Sequence, residues 1–215
     1  MAYYSKQRAR MVERQLRGRG IEDERVLAAM GEVPREQFIP AELRDRAYAD
    51  QALPIGEEQT ISQPWIVAAI CQALELDGSE LVLEVGTGSG YSAAVLSRLA
   101  GDVVSVERHG TLSRSARERL DVLGVGNVEL AVGDGSLGVP GRSPFAAIAV
   151  HATAPAPPRA LLDQLAEGGR LVVPLDAGDA DVLTLYRRLG DRREAVPITP
   201  CRFVPLIGEG GFTPG

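Results

Sequence analysis

Three alternating glycines form the most chemically informative segment of this 215-residue sequence. Gly86, Gly88 and Gly90 lie in EVGTGSGY, between the apolar run LVLEV and a run with helical spacing. Glycine lets the backbone turn sharply and approach a ligand closely, because it has no Cβ. An open parallel sheet binds its ligand at such a point, beyond the carboxyl ends of its strands. The segment therefore predicts a small-molecule site, and the alternative is a tight strand-to-helix turn without a ligand.

Two carboxylates follow the next two apolar runs and fit an adenosine-containing ligand. A dinucleotide site needs the spacing G-x-G-x-x-G, but here the third glycine comes one residue early and Tyr91 occupies its place. Glu107 ends the next apolar run, where a carboxylate can accept both ribose hydroxyls or can be an ordinary acid at a helix start. Asp134 and Gly135 follow the third run, where the aspartate can accept from an adenine amino group or serve as a turn residue.

The elements that must position these groups are apolar runs that alternate with helical segments. Strands are predicted at 81–85, 103–107, 128–132, 145–150 and 170–175, and helices near 91–100, 110–123 and 158–166. Apolar strands separated by helices predict a doubly wound, mostly parallel α/β sheet. The tail differs, because DVLTLYRRL and AVPITPCRFVPLI have the pattern of strands joined by a hairpin. We therefore expect the sheet to end antiparallel.

The chain is predicted to form one domain over residues 1–215. Residues 1–78 are expected to form a cap of helices and loops on a core of residues 79–215. Within the cap, residues 48–62 show no sustained period and are predicted as a long loop. This loop leads to a helix that starts at Pro64.

Composition and charge exclude several classes of function. The net charge of −6 argues against a nucleic-acid partner, because that binding needs clustered lysine and arginine. No apolar run approaches the roughly 20 residues of a membrane-spanning helix, and the basic start lacks the apolar stretch of a signal peptide. We therefore expect a cytoplasmic protein without membrane contact. Cys71, Cys201, His109 and His151 do not form a zinc-ligand pattern, so no metal site is expected.

The sequence resembles the class I S-adenosylmethionine-dependent methyltransferases, and among them the protein-L-isoaspartate O-methyltransferase family. The resemblance is carried, in chain order, by RGIEDERVLAAM, VPREQFIP, AYADQALPIGEEQTISQPWIVA, LEVGTGSGYSAAVLS, GDGSLGVP, APAPPRALLDQLAEGGRLVVP and RFVPL. The glycine loop is shared by many methyltransferases, whereas ALPIGEEQTISQP and RFVPL are specific to this family. The resemblance implies a seven-stranded Rossmann-like fold with S-adenosyl-L-methionine as cofactor. It also implies methyl transfer to the free carboxylate of isoaspartyl residues in damaged proteins and peptides, which starts their repair through a succinimide.

The resemblance further assigns roles to residues of the 59–62 loop and the tail. Ser62 corresponds to the family's active-site serine, which we expect to orient the substrate carboxylate by a hydrogen bond. From the residues alone, Ser62 or Gln63 simply caps the helix that begins at Pro64. The acceptor carboxylate is already ionised at neutral pH, so the site needs no strong general base. The residues expected to contact the substrate are Gln59, Thr60, Ile61 and Val204.

Glu84 and two departures from the family pattern complete the expected site. We expect Glu84 to face the donor's amino group directly or through a water, and the alternative is a strand residue paired with an arginine. Ala146 stands where the family usually carries an aspartate at the start of the fourth strand, with an expected cost to local hydrogen bonding. His151 replaces a small or hydroxylated residue at the other end of that strand. It either contacts the substrate or is a partly solvated loop residue.

Other functions stay open from the sequence alone. One is a family member dedicated to methylating an aspartate of a single modified peptide. Another is a noncatalytic adenosine-binding module, and a third is a nicotinamide-dependent oxidoreductase. We expect repair methylation, because the compact chain lacks the long C-terminal module that a dedicated recognition domain would require, and we also expect a monomer.

Overall fold

A seven-stranded sheet forms the centre of the computed structural model, which describes residues 2–213. Its strands are β3 (Leu81–Val85), β4 (Asp102–Glu107), β5 (Val128–Val132), β6 (Phe145–Val150), β7 (Leu165–Asp176), β8 (Asp181–Leu189) and β9 (Arg192–Cys201). They lie in the order β5-β4-β3-β6-β7-β8-β9. The pairs from β5 to β7 are parallel, and β8 and β9 add to the sheet antiparallel. The predicted fold class is confirmed.

Within residues 2–213, six α-helices accompany the sheet. They are α1 (Ala2–Met11), α2 (Glu24–Glu32), α3 (Pro64–Leu74), α4 (Tyr91–Leu96), α5 (Gly110–Val122) and α6 (Arg159–Asp163). A π turn and a 3-10 turn continue α1 as far as Arg19. Between residues 2 and 213, none of the helices combines the length and apolar composition that crossing a bilayer requires.

Alternate residues of the central strands belong to two separate hydrophobic cores. On one face of the sheet, Val82, Ala147 and Val172 are buried in a core that includes residues of helices α1 to α4. On the other face, Leu83 and Ile148 are buried in a second core. Successive side chains of a strand point to opposite faces, so a strand that is covered on both sides must be apolar throughout. The N-terminal helices therefore share a core with the sheet.

A short hairpin precedes α3, where the sequence predicted a long loop. Strands β1 (Leu53–Gly56) and β2 (Gln59–Ile61) pair antiparallel. Residues 56–58 of the turn have φ values of 103°, 50° and 56°. Positive φ is uncommon for glutamate, so residue preference does not reveal this turn. Its tip is tied to the start of α5, because the Thr111 hydroxyl donates to Glu57 Oε1 at 2.5 Å.

A buried arginine braces the N-terminal cap against the start of α4. The Nε of Arg35 donates to the carbonyl oxygen of Ala47 at 2.8 Å. Its guanidinium carbon lies 4.9 Å from the centre of the Tyr91 ring, within the range of a cation–π contact. Burial lowers the pKa of Arg35 to about 10, so the side chain is still charged at neutral pH. Tyr91 also meets the edge of Phe38, with 5.6 Å between the ring centres.

The first testable prediction concerns Gly90, which begins α4 with φ of 89°. A Cβ at this position would lie 3.1 Å from the Cβ of Ala116 on α5. We expect Gly90→Ala to lower the free energy of unfolding by about 1–3 kcal/mol, because strain and crowding act together. Urea denaturation measures the change. Gly110→Ala is the matched control, because a Cβ there meets no atom within 4 Å. Equal stabilities of the two variants would contradict the prediction.

Candidate active site

A cavity opens at the carboxyl ends of strands β3, β4 and β6. Its empty volume is about 770 Å³, including space open to solvent. Strand β3 pairs with β4 on one side and with β6 on the other. The connection after β3 leads to β4 and the connection after β6 leads to β7, so they run in opposite directions, and such a switch point creates a crevice at the sheet edge. Strand β2 and the tail segment 204–207 form the remaining walls.

The glycine loop forms the floor of this cavity. Gly86 and Gly88 line it with φ values of 95° and 53°. A Cβ on Gly86 would lie 3.4 Å from the Cβ of His151, and one on Gly88 would lie 3.3 Å from Cδ1 of Ile55. Gly90 is not among the lining residues and has a packing role against α5. Two of the three glycines, Gly86 and Gly88, thus leave bare backbone facing the cavity. Contact between Gly90 and the cofactor stays a prediction.

Glu107 fixes the glycine loop from the end of β4. The N–H of Gly88 donates to Glu107 Oε2 at 2.8 Å, and the N–H of His109 donates to Oε1 at 3.0 Å. The side chain lines the cavity although the residue is only 5% exposed. Each carboxylate oxygen can accept a second hydrogen bond. Glu107 can therefore receive two hydroxyls of a bound ribose, and this role stays a prediction.

Asp134 and Gly135 have different environments in the loop after β5. Gly135 lines the cavity, and a Cβ there would lie 2.5 Å from Cγ1 of Val85. The Asp134 carboxylate accepts from the Ser136 N–H at 2.9 Å and from the Glu209 N–H at 2.8 Å. Asp134 is absent from the lining residues. The structure therefore gives this aspartate a turn-capping role that also anchors the tail, and an adenine contact stays a prediction.

Glu84 lies beneath the cavity and is fully buried. Val85 lines the cavity, and its neighbour in the strand points to the opposite face. The Ser105 hydroxyl donates to Glu84 Oε2. Oε1 of Glu84 lies 3.4 Å from Nε2 of His151. The alternative of an arginine partner is wrong, because the ion-pair partner of Glu84 within residues 2–213 is a histidine. A direct contact with the donor's amino group stays a prediction that this placement does not favour.

His151 lies at the end of β6 and lines the cavity. Its side chain is only 6% exposed, whereas the residue as a whole is partly exposed and follows the last residue of β6, so a substrate contact and a partly solvated loop residue both stay predictions. Nε2 is 2.8 Å from the hydroxyl of Ser92 on α4. Ala146, the other departure from the family pattern, lies near the amino end of β6, away from the cavity.

Ser62 caps no helix. Gln63 holds the N-cap position of α3 without a side-chain capping bond, and Pro64 follows at the first helical position. The predicted capping role of Ser62 is therefore wrong. Within the part of the chain that the structure describes, the Ser62 side chain makes no hydrogen bond and faces the cavity.

A second cavity adjoins the first. The residues that line both cavities are Thr60, Ser62, His151 and Val204. Gln59 and Ile61, the other two residues expected to contact substrate, line the first cavity alone. Arg202 lines the second cavity and gives it a cation. The geometry therefore offers two adjoining sites whose common wall carries a free hydroxyl and an imidazole.

Sequence reasoning missed several lining residues. They are Val67, Val85, Thr87, Ser89, Tyr91, Ser92, Val106, Arg108, Ala152, Pro205, Leu206 and Ile207. The missed residues of the glycine loop could have been predicted from the position of the loop, because every residue of a tight turn lies near the cavity that the turn lines. The tail residues give no local signal, because only the folded tail brings them to the sheet edge. Between residues 2 and 213, no group of three or more His, Cys, Asp or Glu side chains could hold a metal ion.

Comparison with known proteins identifies the family. Residues 6–211 match the family model of protein-L-isoaspartate(D-aspartate) O-methyltransferase (PCMT). The chain belongs to the PCMT family. It is 50% identical over 212 residues to Protein-L-isoaspartate O-methyltransferase 1 of Syntrophobacter fumaroxidans, covering 99% of both chains. It is 52% identical over 204 residues to Protein-L-isoaspartate O-methyltransferase 2 of Pelobacter propionicus, covering 94% of this chain and 91% of the relative.

Two solved PCMT structures share the fold. One, a protein-L-isoaspartate O-methyltransferase, is 32% identical with a TM-score of 0.84, covering 95% of this chain and 67% of the other. The second is a Plasmodium falciparum beta-aspartate methyltransferase in complex with S-adenosyl-L-homocysteine. It is 25% identical with a TM-score of 0.79, covering 93% of this chain and 98% of the other.

The second testable prediction concerns the pH dependence of Asp134. Burial by itself raises the pKa of Asp134, but hydrogen bonds from Ser136 and Glu209 outweigh it and leave the pKa below its ordinary value. A carboxylate with a lowered folded-state pKa stabilises the fold above its unfolded pKa of about 4. This contribution is lost as pH falls through the folded-state pKa. We expect Asp134→Asn to be less stable than the wild type at pH 7.

We expect this difference to shrink as the pH falls below about 4. Urea denaturation of both proteins between about pH 3 and pH 7 measures it. A difference in the free energy of unfolding that is independent of pH would show that the ionised carboxylate does not anchor the tail.

Proposed function

We propose that this chain transfers a methyl group from S-adenosyl-L-methionine to the free carboxylate of L-isoaspartyl residues in damaged proteins and peptides. The resulting ester then collapses to a succinimide, which initiates repair. Family membership over residues 6–211 supports the activity. The single structural observation that carries the proposal is the pair of adjoining cavities that share Ser62 and His151.

The first cavity suits the methyl donor, whose sulfonium makes its methyl group electrophilic. The bare backbone of Gly86 and Gly88, which both line this cavity, permits close approach because glycine has no Cβ. Glu107 lines the same cavity and has acceptor capacity left for two hydroxyls. The relative solved with S-adenosyl-L-homocysteine supports a donor of this class.

The second cavity suits the acceptor carboxylate. Arg202 supplies a positive charge, and the N-terminus of α3 beside Gln63 also favours an anion. The Ser62 hydroxyl can donate to a carboxylate oxygen at the wall between the cavities. The carboxylate is ionised at pH 7, so these residues need only align it and exclude water. Alignment of this kind lowers the activation free energy by up to about 7–11 kcal/mol in the most favourable reactions.

We further propose that the enzyme acts as a monomer in the cytoplasm and binds neither nucleic acid nor membranes. The net charge of −6 supports the exclusion of phosphate-backbone partners.

The third testable prediction is the substrate preference. Labelled S-adenosyl-L-methionine is supplied with matched peptides that carry either aspartyl or isoaspartyl at one position. We expect base-labile methyl, released as methanol, only from the isoaspartyl peptide. Isoaspartyl peptides of unrelated sequence should respond as well, which separates repair from dedication to one peptide. Equal methylation of the aspartyl peptide, or none of either, would refute the proposed function.

The fourth testable prediction separates the two cavities. We expect Ser62→Ala to lower kcat by about 10- to 100-fold, because a hydrogen bond to a charged group is lost, with little change in donor affinity. Glu107→Ala should instead raise the Kd of the donor by a similar factor. Isothermal titration with S-adenosyl-L-homocysteine and steady-state kinetics measure the two effects.

Glu118→Ala is the matched control for these variants, because that glutamate is exposed on α5. It should leave both kcat and donor affinity unchanged. An unchanged donor Kd in Glu107→Ala would show that the ribose does not lie at the end of β4.

A further inference from the structure

A row of polar side chains, linked by hydrogen bonds and one ion-pair contact, runs beneath the wall between the two cavities. The hydroxyls of Thr87 and Ser105 lie 2.5 Å apart, and Ser105 donates to Oε2 of Glu84. Thr87 lines the first cavity. On the other side of the carboxylate, Nε2 of His151 lies 3.4 Å from Oε1 and 2.8 Å from the Ser92 hydroxyl. The row thus leads from the cavity floor through a buried carboxylate to the imidazole.

The carboxylate of Glu84 lacks full hydrogen bonding. Oε1 has no hydrogen-bond partner within residues 2–213, although the residue is fully buried. A buried charge is costly unless an opposite charge or several hydrogen bonds compensate it. The group that faces Oε1 is His151 Nε2, so a proton on this nitrogen supplies the compensation. Nε2 carries at most one proton, and the Ser92 hydroxyl at 2.8 Å is its hydrogen-bond partner, so Ser92 fixes the ring while Oε1 at 3.4 Å interacts with the imidazole through charge alone.

The opposite ring atom is then available to a ligand. Nδ1 of His151 makes no hydrogen bond in the described part of the chain, and the residue lines both cavities. When both nitrogens carry protons, Nδ1 donates and the ring is a cation. An anionic acceptor at the wall between the cavities is then attracted to it.

We propose that Glu84 is a positioning residue for the acceptor, which it serves by orienting the His151 ring so that Nδ1 faces the acceptor carboxylate. This inference rests on the proposed function and extends it to specificity for an anionic acceptor. It gives Glu84 a role at the second cavity in place of a contact with the donor.

A double-mutant cycle tests the inference in the full-length chain. The variants are Glu84→Gln, His151→Gln and the double variant, with Glu118→Gln as the exposed control. The measurements are the KM of an isoaspartyl peptide, kcat, and the Kd of S-adenosyl-L-homocysteine by titration. We expect each single variant to raise the peptide KM by at least about tenfold, with the donor Kd within about twofold of wild type.

The double variant should be no worse than His151→Gln alone, because Glu84 acts through the imidazole. A purely structural role for Glu84 would instead produce additive effects and overturn the inference. A rise in donor Kd in Glu84→Gln would also overturn it, by assigning the carboxylate to the donor.

Two further measurements separate failure of the inference from failed folding of a variant and from failure of the proposed function. Ser92→Ala removes the other anchor of the ring and should raise the peptide KM in the same direction even if Glu84→Gln does not fold. An unchanged peptide KM in Ser92→Ala and His151→Gln would refute the inference. Wild-type activity on the isoaspartyl peptide is measured alongside, so failure of the proposed function is seen there and not confused with failure of the inference.

Discussion

The hydrogen bond between the Gly88 N–H and the Glu107 carboxylate joins the two strand ends that make the cavity. It spans 2.8 Å and ties the bend after β3 to the end of β4. The bend itself exists because Gly86 and Gly88 have positive φ, which few other residues adopt without strain. With the floor fixed in this way, β2 and the tail can close over it. The cavity is thus a consequence of sheet topology, because the connections after β3 and β6 lead in opposite directions.

The acceptor side depends on parts of the chain that are distant in sequence. Ser62 comes from the segment between β2 and α3, His151 from the end of β6, and Arg202 from the residue after β9. The tail is held at the sheet edge by backbone hydrogen bonds of Thr153 with residues 204 and 206, and by Asp134, which accepts from the N–H of Glu209. A reaction between two bound molecules needs side chains from distant segments to meet at one place. When the nucleophile is already ionised, the enzyme accelerates the reaction chiefly by aligning the two molecules.

The sequence revealed the sheet and the glycine loop because both are encoded locally. Apolar runs mark strands β3 to β8, and glycine at alternate positions marks the bend. Local patterns could not reveal the hairpin before α3, whose turn has Glu57 at positive φ and is hydrogen-bonded to Thr111 of α5. The same limit explains the other differences. Whether Asp134 faces a ligand or caps a turn, and whether Glu84 meets an arginine or His151, depends on side chains that only the tertiary fold brings together.

A crystal structure with S-adenosyl-L-homocysteine bound tests directly whether the donor binds at the glycine bend after β3. We expect electron density for the ligand against the bend at Gly86 and Gly88. We also expect ribose hydroxyls within about 3 Å of the Glu107 carboxylate and the sulfur directed toward Ser62. An empty bend with the ligand bound elsewhere on the protein would contradict this prediction.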